Sequence, residues 1–153
     1  MKLLLDTTYL LPAIGISVKN VRRDLPIKLI KKGYSLFISE VTIFELSAKG
    51  SKHVASGNLA PERVLRGIRA IVHDDRIVKV PVHDESILLT SFKLRRILDD
   101  YIDCLILSSA INRCDILLTE DKRMRGLKRK VEFQEILKEV NPKFSVASAH
   151  ELT

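Results

Sequence analysis

Along the chain, short apolar runs alternate with longer stretches whose apolar positions recur every three or four residues. That alternation predicts an α/β fold on a central, mainly parallel sheet. Leu3–Leu5 reads as a short buried strand ending at Asp6. Thr8 is a candidate cap for a helix with Pro12 in its opening turns. Asp24 begins a second helical stretch in which Leu25, Leu29 and Ile30 share a face. Leu36–Ile38 is the second strand, and Ser39 is a natural N-cap for a helix over Glu40–Ala48, because its hydroxyl can accept from an orphaned backbone N–H. Gly50, Gly57 and Asn58 mark a looser connection. Pro61 then opens a helix with Val64, Ile68 and Ile71 on one stripe. Ile77–Val82 is the third strand. Asp84 caps a helix to about Leu98, and Asp100 another to about Asn112. Ile116–Leu118 is the fourth strand, Phe133–Val140 a helix and Phe144–Ala147 the fifth strand. No repeat or low-complexity linker divides the chain, so residues 1–153 read as one domain.

Composition narrows the function without naming it. At 46% hydrophobic and 29% charged residues the chain is ordinary globular material, and a domain of this length buries about 70% of its unfolded surface. With no Trp, three Tyr and five Phe, a stacking platform for single-stranded bases and an aromatic carbohydrate cleft are both disfavoured. The net charge of +7 favours polyanionic partners such as RNA or DNA. The cations are unevenly spread: the run 122–130, KRMRGLKRK, holds six Lys or Arg in nine positions, whereas Lys28, Lys31 and Lys32 read as a solvated helix face. Cys104 and Cys114 lie in one apolar helical stretch, form no metal pattern and read as small buried residues. The apolar N-terminus is broken by Asp6 and followed by Pro12, so it does not read as a signal peptide. No apolar run reaches the ~20 residues of a spanning helix, and the expected location is cytoplasmic.

Against that layout, the acids acquire positions. Asp6 stands just past the first strand and Asp121 just past the fourth, where open parallel sheets collect ligands at a switch in strand order. Glu45 lies on the helix after strand two, and Asp103 in the first turn of the helix before strand four. Each has a plainer reading: Asp6 as a strand end, Asp121 as a turn residue, Glu45 as an exposed helical glutamate. Asp103 can be the partner of Asp100 in a capping box, and Asp99, Asp100 and Glu120 compete as alternatives.

Three segments together resemble the PIN-domain ribonucleases, including the VapC-type toxins of toxin–antitoxin pairs. LLLDTTYLL resembles the family's first strand with its Asp-Thr/Ser motif, and ISEVTIFELSAKG the helix bearing its glutamate. DDYIDCLILSSAINRCDILLTEDKRM resembles the Asp-led apolar helix and the strand ending in Thr-x-Asp. The resemblance implies a three-layer α/β/α fold with a five-stranded sheet, and selects Asp6, Glu45, Asp103 and Asp121 as the acidic set. It also implies an RNA substrate, a homodimer and, in the toxins, a small antitoxin that blocks the site. The chain departs from the family in running into KRMRGLKRK where members often carry an aromatic, and residues 49–75 match no familiar segment.

Two carboxylates ~5 Å apart at an effective dielectric of ~20 repel by about 3 kcal/mol, so a cluster of four persists by protonation or by holding cations. Oxygen-only donors suit Mg²⁺ or Mn²⁺ and argue against zinc. His53, His73, His83 and His150 have no spacing that joins them to such a site. The expected chemistry is metal-assisted phosphodiester hydrolysis at Asp6, Glu45, Asp103 and Asp121. Thr7 or Thr119 would bond a neighbouring carboxylate or a metal-bound water, and some of Lys122, Arg123 and Arg125 would contact flanking phosphates. Two rivals stand beside it. A receiver-type phosphoacceptor needs an acidic pair after strand one, and here Asp6 is alone before Thr7 and Thr8. A PIN-like RNA-binding or rRNA-processing scaffold, without a toxin role, needs no cleavage at all. DNA is not excluded by the phosphate chemistry itself.

Overall fold

A computed structural model describes residues 1–153. Five strands, β1 (Lys2–Leu5), β2 (Ser35–Ser39), β3 (Ile77–Val80), β4 (Ile116–Leu118) and β5 (Ser145–Ala147), form one sheet in the order β3-β2-β1-β4-β5. Every pairing is parallel, with Leu3 opposite both Leu36 and Ile116. The central strand shows why its sequence lacks a polar face. Leu4 is wholly buried in one core with Leu117, while Leu3 and Leu5 are wholly buried in the other with Ile116 and Leu118. A period of two thus sends alternate side chains into two cores, one on each face of the sheet. The expected three-layer α/β/α fold with a five-stranded sheet is what the chain adopts.

Seven helices cover the sheet: α1 (Leu25–Lys31), α2 (Glu40–Ala55), α3 (Pro61–Val72), α4 (Glu85–Leu94), α5 (Tyr101–Arg113), α6 (Lys122–Arg125) and α7 (Val131–Val140). Ser39, Asp84 and Asp100 cap α2, α4 and α5 by accepting from Val41, Ser86 and Ile102 N–H groups. Helix α5 is buried continuously from Cys104 to Ile111, which is why it carries little amphipathic pattern. Both cysteines are free and buried.

The structure corrects several boundaries. The segment after β1 is a 3₁₀ helix over Thr7–Ile14 with Asp6 as its cap, rather than a helix begun by Thr8. Strand β3 stops at Val80, and α4 at Leu94. Helix α2 runs through Gly50 to Ala55, because Gly50 is a packing residue and not a loop marker. A Cβ there would stand 2.5 Å from Val64 Cγ1 of α3. The basic run 122–130 also holds unexpected short helices, α6 and a 3₁₀ turn at Gly126–Arg129.

Candidate active site

The sheet topology decides which strand ends meet. Strands β2 and β3 lie to one side of β1 and strands β4 and β5 to the other, so the order reverses between β1 and β4. Two segments more than a hundred residues apart in sequence are joined there. Asp6 N donates to Leu118 O at 3.0 Å, and Thr119 Oγ1 donates to Asp6 Oδ2 at 2.6 Å. The other Asp6 oxygen accepts from Thr7 N at 2.8 Å, which starts the 3₁₀ segment. Asp6 is 7% exposed. Burial pushes its carboxyl above the usual range, against the bonds from Thr119 and Thr7, and the charges of Glu45 and Asp121 push the same way.

Glu45 enters from α2. Its Oε1 lies 2.5 Å from Thr7 Oγ1, which is also 3.1 Å from Thr42 Oγ1. The Thr7 hydroxyl has one proton to share between these two acceptors, and the shorter contact is the one to the carboxylate. Both threonines expected to hold a carboxylate do so: Thr7 holds Glu45, and Thr119 holds Asp6. Thr42, one turn before Glu45, is a member of the network that sequence reasoning missed; its sole signal was helical i, i+3 spacing.

Asp103 projects from the first turn of α5. Asp100 accepts from the backbone N–H groups of Ile102 and Asp103, yet no bond returns from the Asp103 side chain, so the capping box is not closed. Asp103 is therefore free for another task. Burial and the neighbouring charges of Asp100, Asp6 and Asp121 raise its carboxyl to about 7. Asp121 caps α6 through Arg123 N at 2.8 Å, and the Arg123 guanidinium holds its carboxyl below the usual range. The same guanidinium reaches Asp121 Oδ2 at 2.8 Å and Asp103 Oδ2 at 3.3 Å.

All four acids selected from the sequence thus share one end of the sheet, where the charges of Glu45 and Asp121 act on Asp6, and those of Asp6 and Asp121 on Asp103. As the side chains stand, no three lie close enough to hold one ion, and Arg123 is the cation between two of them. The donor set is oxygen only, and Glu45 and Asp103 each keep one oxygen without a protein partner. That donor chemistry fits a hard divalent cation. Of the expected phosphate contacts, Lys122 is exposed, Arg123 is committed to the two aspartates, and Arg125 is half-buried with its guanidinium 3.4 Å from Glu120 O.

The raised Asp103 carboxyl has a direct consequence for stability. The folded state binds a proton that the unfolded chain, with an ordinary aspartate value of 3.8, has already lost. Stability without metal therefore falls as pH rises from about 4 through about 7. In EDTA, the melting temperature of Asp103→Asn is expected to fall less over that window than that of the unaltered protein; parallel curves would show the shift to be wrong.

Comparison with known proteins places this geometry in a family. The PIN domain model matches residues 3–130, and the chain belongs to the PIN-domain family, whose members are in general nucleases. Among solved structures, the fold is shared with a chain of the VapBC2 complex from Rickettsia felis, crystallised bound to a DNA fragment from their promoter. The TM-score is 0.57 at 19% identity, over 95% of this chain and 97% of that one. A comparison with curated proteins finds no match.

Proposed function

We propose that the protein is an Mg²⁺- or Mn²⁺-dependent endoribonuclease, the toxin of a type II toxin–antitoxin pair. One observation carries this reading: four carboxylates from four separate elements of a PIN domain converge where β1 meets β4, and burial and mutual repulsion raise two of them. Asp6, Asp103 and Asp121 would hold the cation, and Glu45, positioned by Thr7, would hold it or orient the attacking water. When bound, the ion supplies charge neutralisation and Lewis acidity toward the scissile phosphate. Arg123, exposed beside Asp103 and Asp121, would stabilise charge developing on the phosphate, and exposed Lys122 would contact the flanking backbone.

Protons compete with metal at Asp103. Manganese affinity by titration calorimetry is expected to weaken by up to about tenfold per pH unit below about 7 and to level off above it. A pH-independent affinity would remove Asp103 from the ligand set.

The broader test is cleavage of structured and unstructured RNA with Mg²⁺ or Mn²⁺ and with EDTA. Metal-dependent cutting is expected, and chelation abolishes it. The Arg123 clamp is also what a non-cleaving, RNA-binding or scaffolding PIN module would keep, and binding without cutting would establish that second reading. DNA is the control substrate. The toxin assignment predicts stable capture of a small co-expressed antitoxin in the cytoplasm. A homodimer is expected as well. Leu89 and Phe92 of α4, each 57% exposed, offer apolar surface for such contacts, and no helix is long and apolar enough to cross a membrane.

A further inference from the structure

As sequence, Lys28, Lys31 and Lys32 form an ordinary solvated helix face. The fold gives them a different setting: with Arg22 they line a cavity of about 890 Å³ whose wall includes Tyr9 and Glu120. The wall is built with some care. The Tyr9 hydroxyl donates to Glu120 Oε1 at 2.5 Å and accepts from Ala149 N at 3.0 Å. One buried side chain thereby ties the 3₁₀ segment after β1, the loop after β4 and the turn after β5 into a single surface.

The same loop borders the acids. Thr119 bonds Asp6, Asp121 faces Asp103 through Arg123, and Glu120, between them in sequence, turns to Tyr9 and the cavity. Residues 119–121 are therefore a partition with the acidic site on one side and the basic cavity on the other. The cations are only partly neutralised locally. Asp24 pairs with Arg22 at 3.1 Å and Lys28 at 3.6 Å, Lys32 Nζ meets only the Leu152 carbonyl at 3.4 Å, and Lys31 has no ion pair. Four cations against Asp24 and Glu120 leave a net positive excess of two. A polyanion held at the acids, where its own charge is repelled until a cation binds, gains an attractive anchor one loop away.

We infer that this cavity binds backbone phosphates of the RNA strand flanking the scissile bond. The inference rests on the nuclease reading for the identity of the strand, while the site itself stands on the cavity and its charge. Lys28, Lys31 and Lys32 supply point charges without reading base sequence, so they set affinity and strand path and leave cleavage specificity to other contacts.

The test is fluorescence anisotropy of a labelled single-stranded oligoribonucleotide in EDTA across a salt series. The Lys28→Gln/Lys31→Gln/Lys32→Gln protein is expected to bind about tenfold more weakly and to lose about one to two units of the log–log salt slope, at roughly 0.7 per phosphate contact. A control removes the same charge at the amino-end side of the sheet, with Lys2, Lys138 and Lys143 changed to Gln, and is expected to change affinity less than about twofold. Equal losses in both variants, or none in the first, overturn the site. The two readings fail separately. If the unaltered protein never cuts RNA but the first variant alone loses binding, the cavity stands and the nuclease reading falls. If it cuts with metal and the first variant binds normally, the cavity falls alone.

Discussion

Replacing Asp6 by Asn is expected to lower metal-dependent cleavage by on the order of 10²–10³-fold, while the protein melts at the same temperature or higher. The two halves of that result have one cause. Asp6 is buried, and its carboxyl is raised mainly because the charged form loses hydration, with Glu45 and Asp121 adding repulsion. Above its normal range the ionised side chain therefore weakens the folded state, and a neutral amide removes that cost. The local bonds survive the change. The amide oxygen can accept from Thr7 N as Oδ1 does, and its NH₂ can donate to Thr119 Oγ1 once that hydroxyl rotates. What Asn cannot supply is the negative charge that holds a cation. Cleavage assays and thermal melts on the same preparation check both halves. Full activity in the variant would sink the assignment of Asp6, and a large loss of stability would show that the ionised form is needed for folding.

The largest effect on stability is expected at Gly67, outside the acidic site. This residue of α3 packs against the end of the 3₁₀ segment so closely that a Cβ would lie 2.3 Å from Ala13 O and 2.8 Å from Ile14 Cα. Both obstacles are backbone, and Ala13 O already accepts from Arg63 Nη1 at 2.7 Å, so neither can turn aside as a side-chain tip would. Gly67→Ala is expected to cost about 3 kcal/mol or more from overpacking, against a gain of about 1 kcal/mol in helix propensity. The net loss of about 2 kcal/mol or more lowers the melting temperature by roughly 4–8 °C or more, at about 2–4 °C per kcal/mol. Gly126→Ala is the matched control. No atom lies within 4 Å of its Cβ, and the backbone there is right-handed, so no loss is expected. Because the 3₁₀ segment begins at Thr7, displacement at Ala13 also disturbs the Thr7–Glu45 bond, and some activity should fall with stability. An unchanged melting temperature in Gly67→Ala would mean that α3 sits further from Ala13 than described.

How much of this was legible beforehand depended on whether the information was local. The strands were, because Leu3–Leu5 and Ile116–Leu118 are uniformly apolar and too short for helices. The caps of α2, α4 and α5 were, because Ser39, Asp84 and Asp100 act on N–H groups two or three residues away. Gly50 misled because a glycine that admits Val64 looks the same in sequence as one that ends a helix. The segment after Asp6 misled because its tight 3₁₀ winding follows from packing against α2 and α3. The cations divided differently from expectation. Arg123 answers two aspartates, while the bland-looking lysines of α1 line a cavity.

By itself, the sequence determined the period of the strands and of the longer helices, the burial of β1 and the family motifs that single out Asp6, Glu45, Asp103 and Asp121. Those are properties of neighbouring residues, encoded by hydropathy and side-chain chemistry over a few positions. Only the tertiary structure decided that β4 lies against β1, so that Thr119 bonds Asp6, and that Arg123 stands between Asp103 and Asp121. Only it showed that the loop bearing Asp121 separates these acids from a basic cavity. Parallel pairing joins segments more than a hundred residues apart, and a hydropathy pattern records that a strand is buried without recording which strand lies beside it.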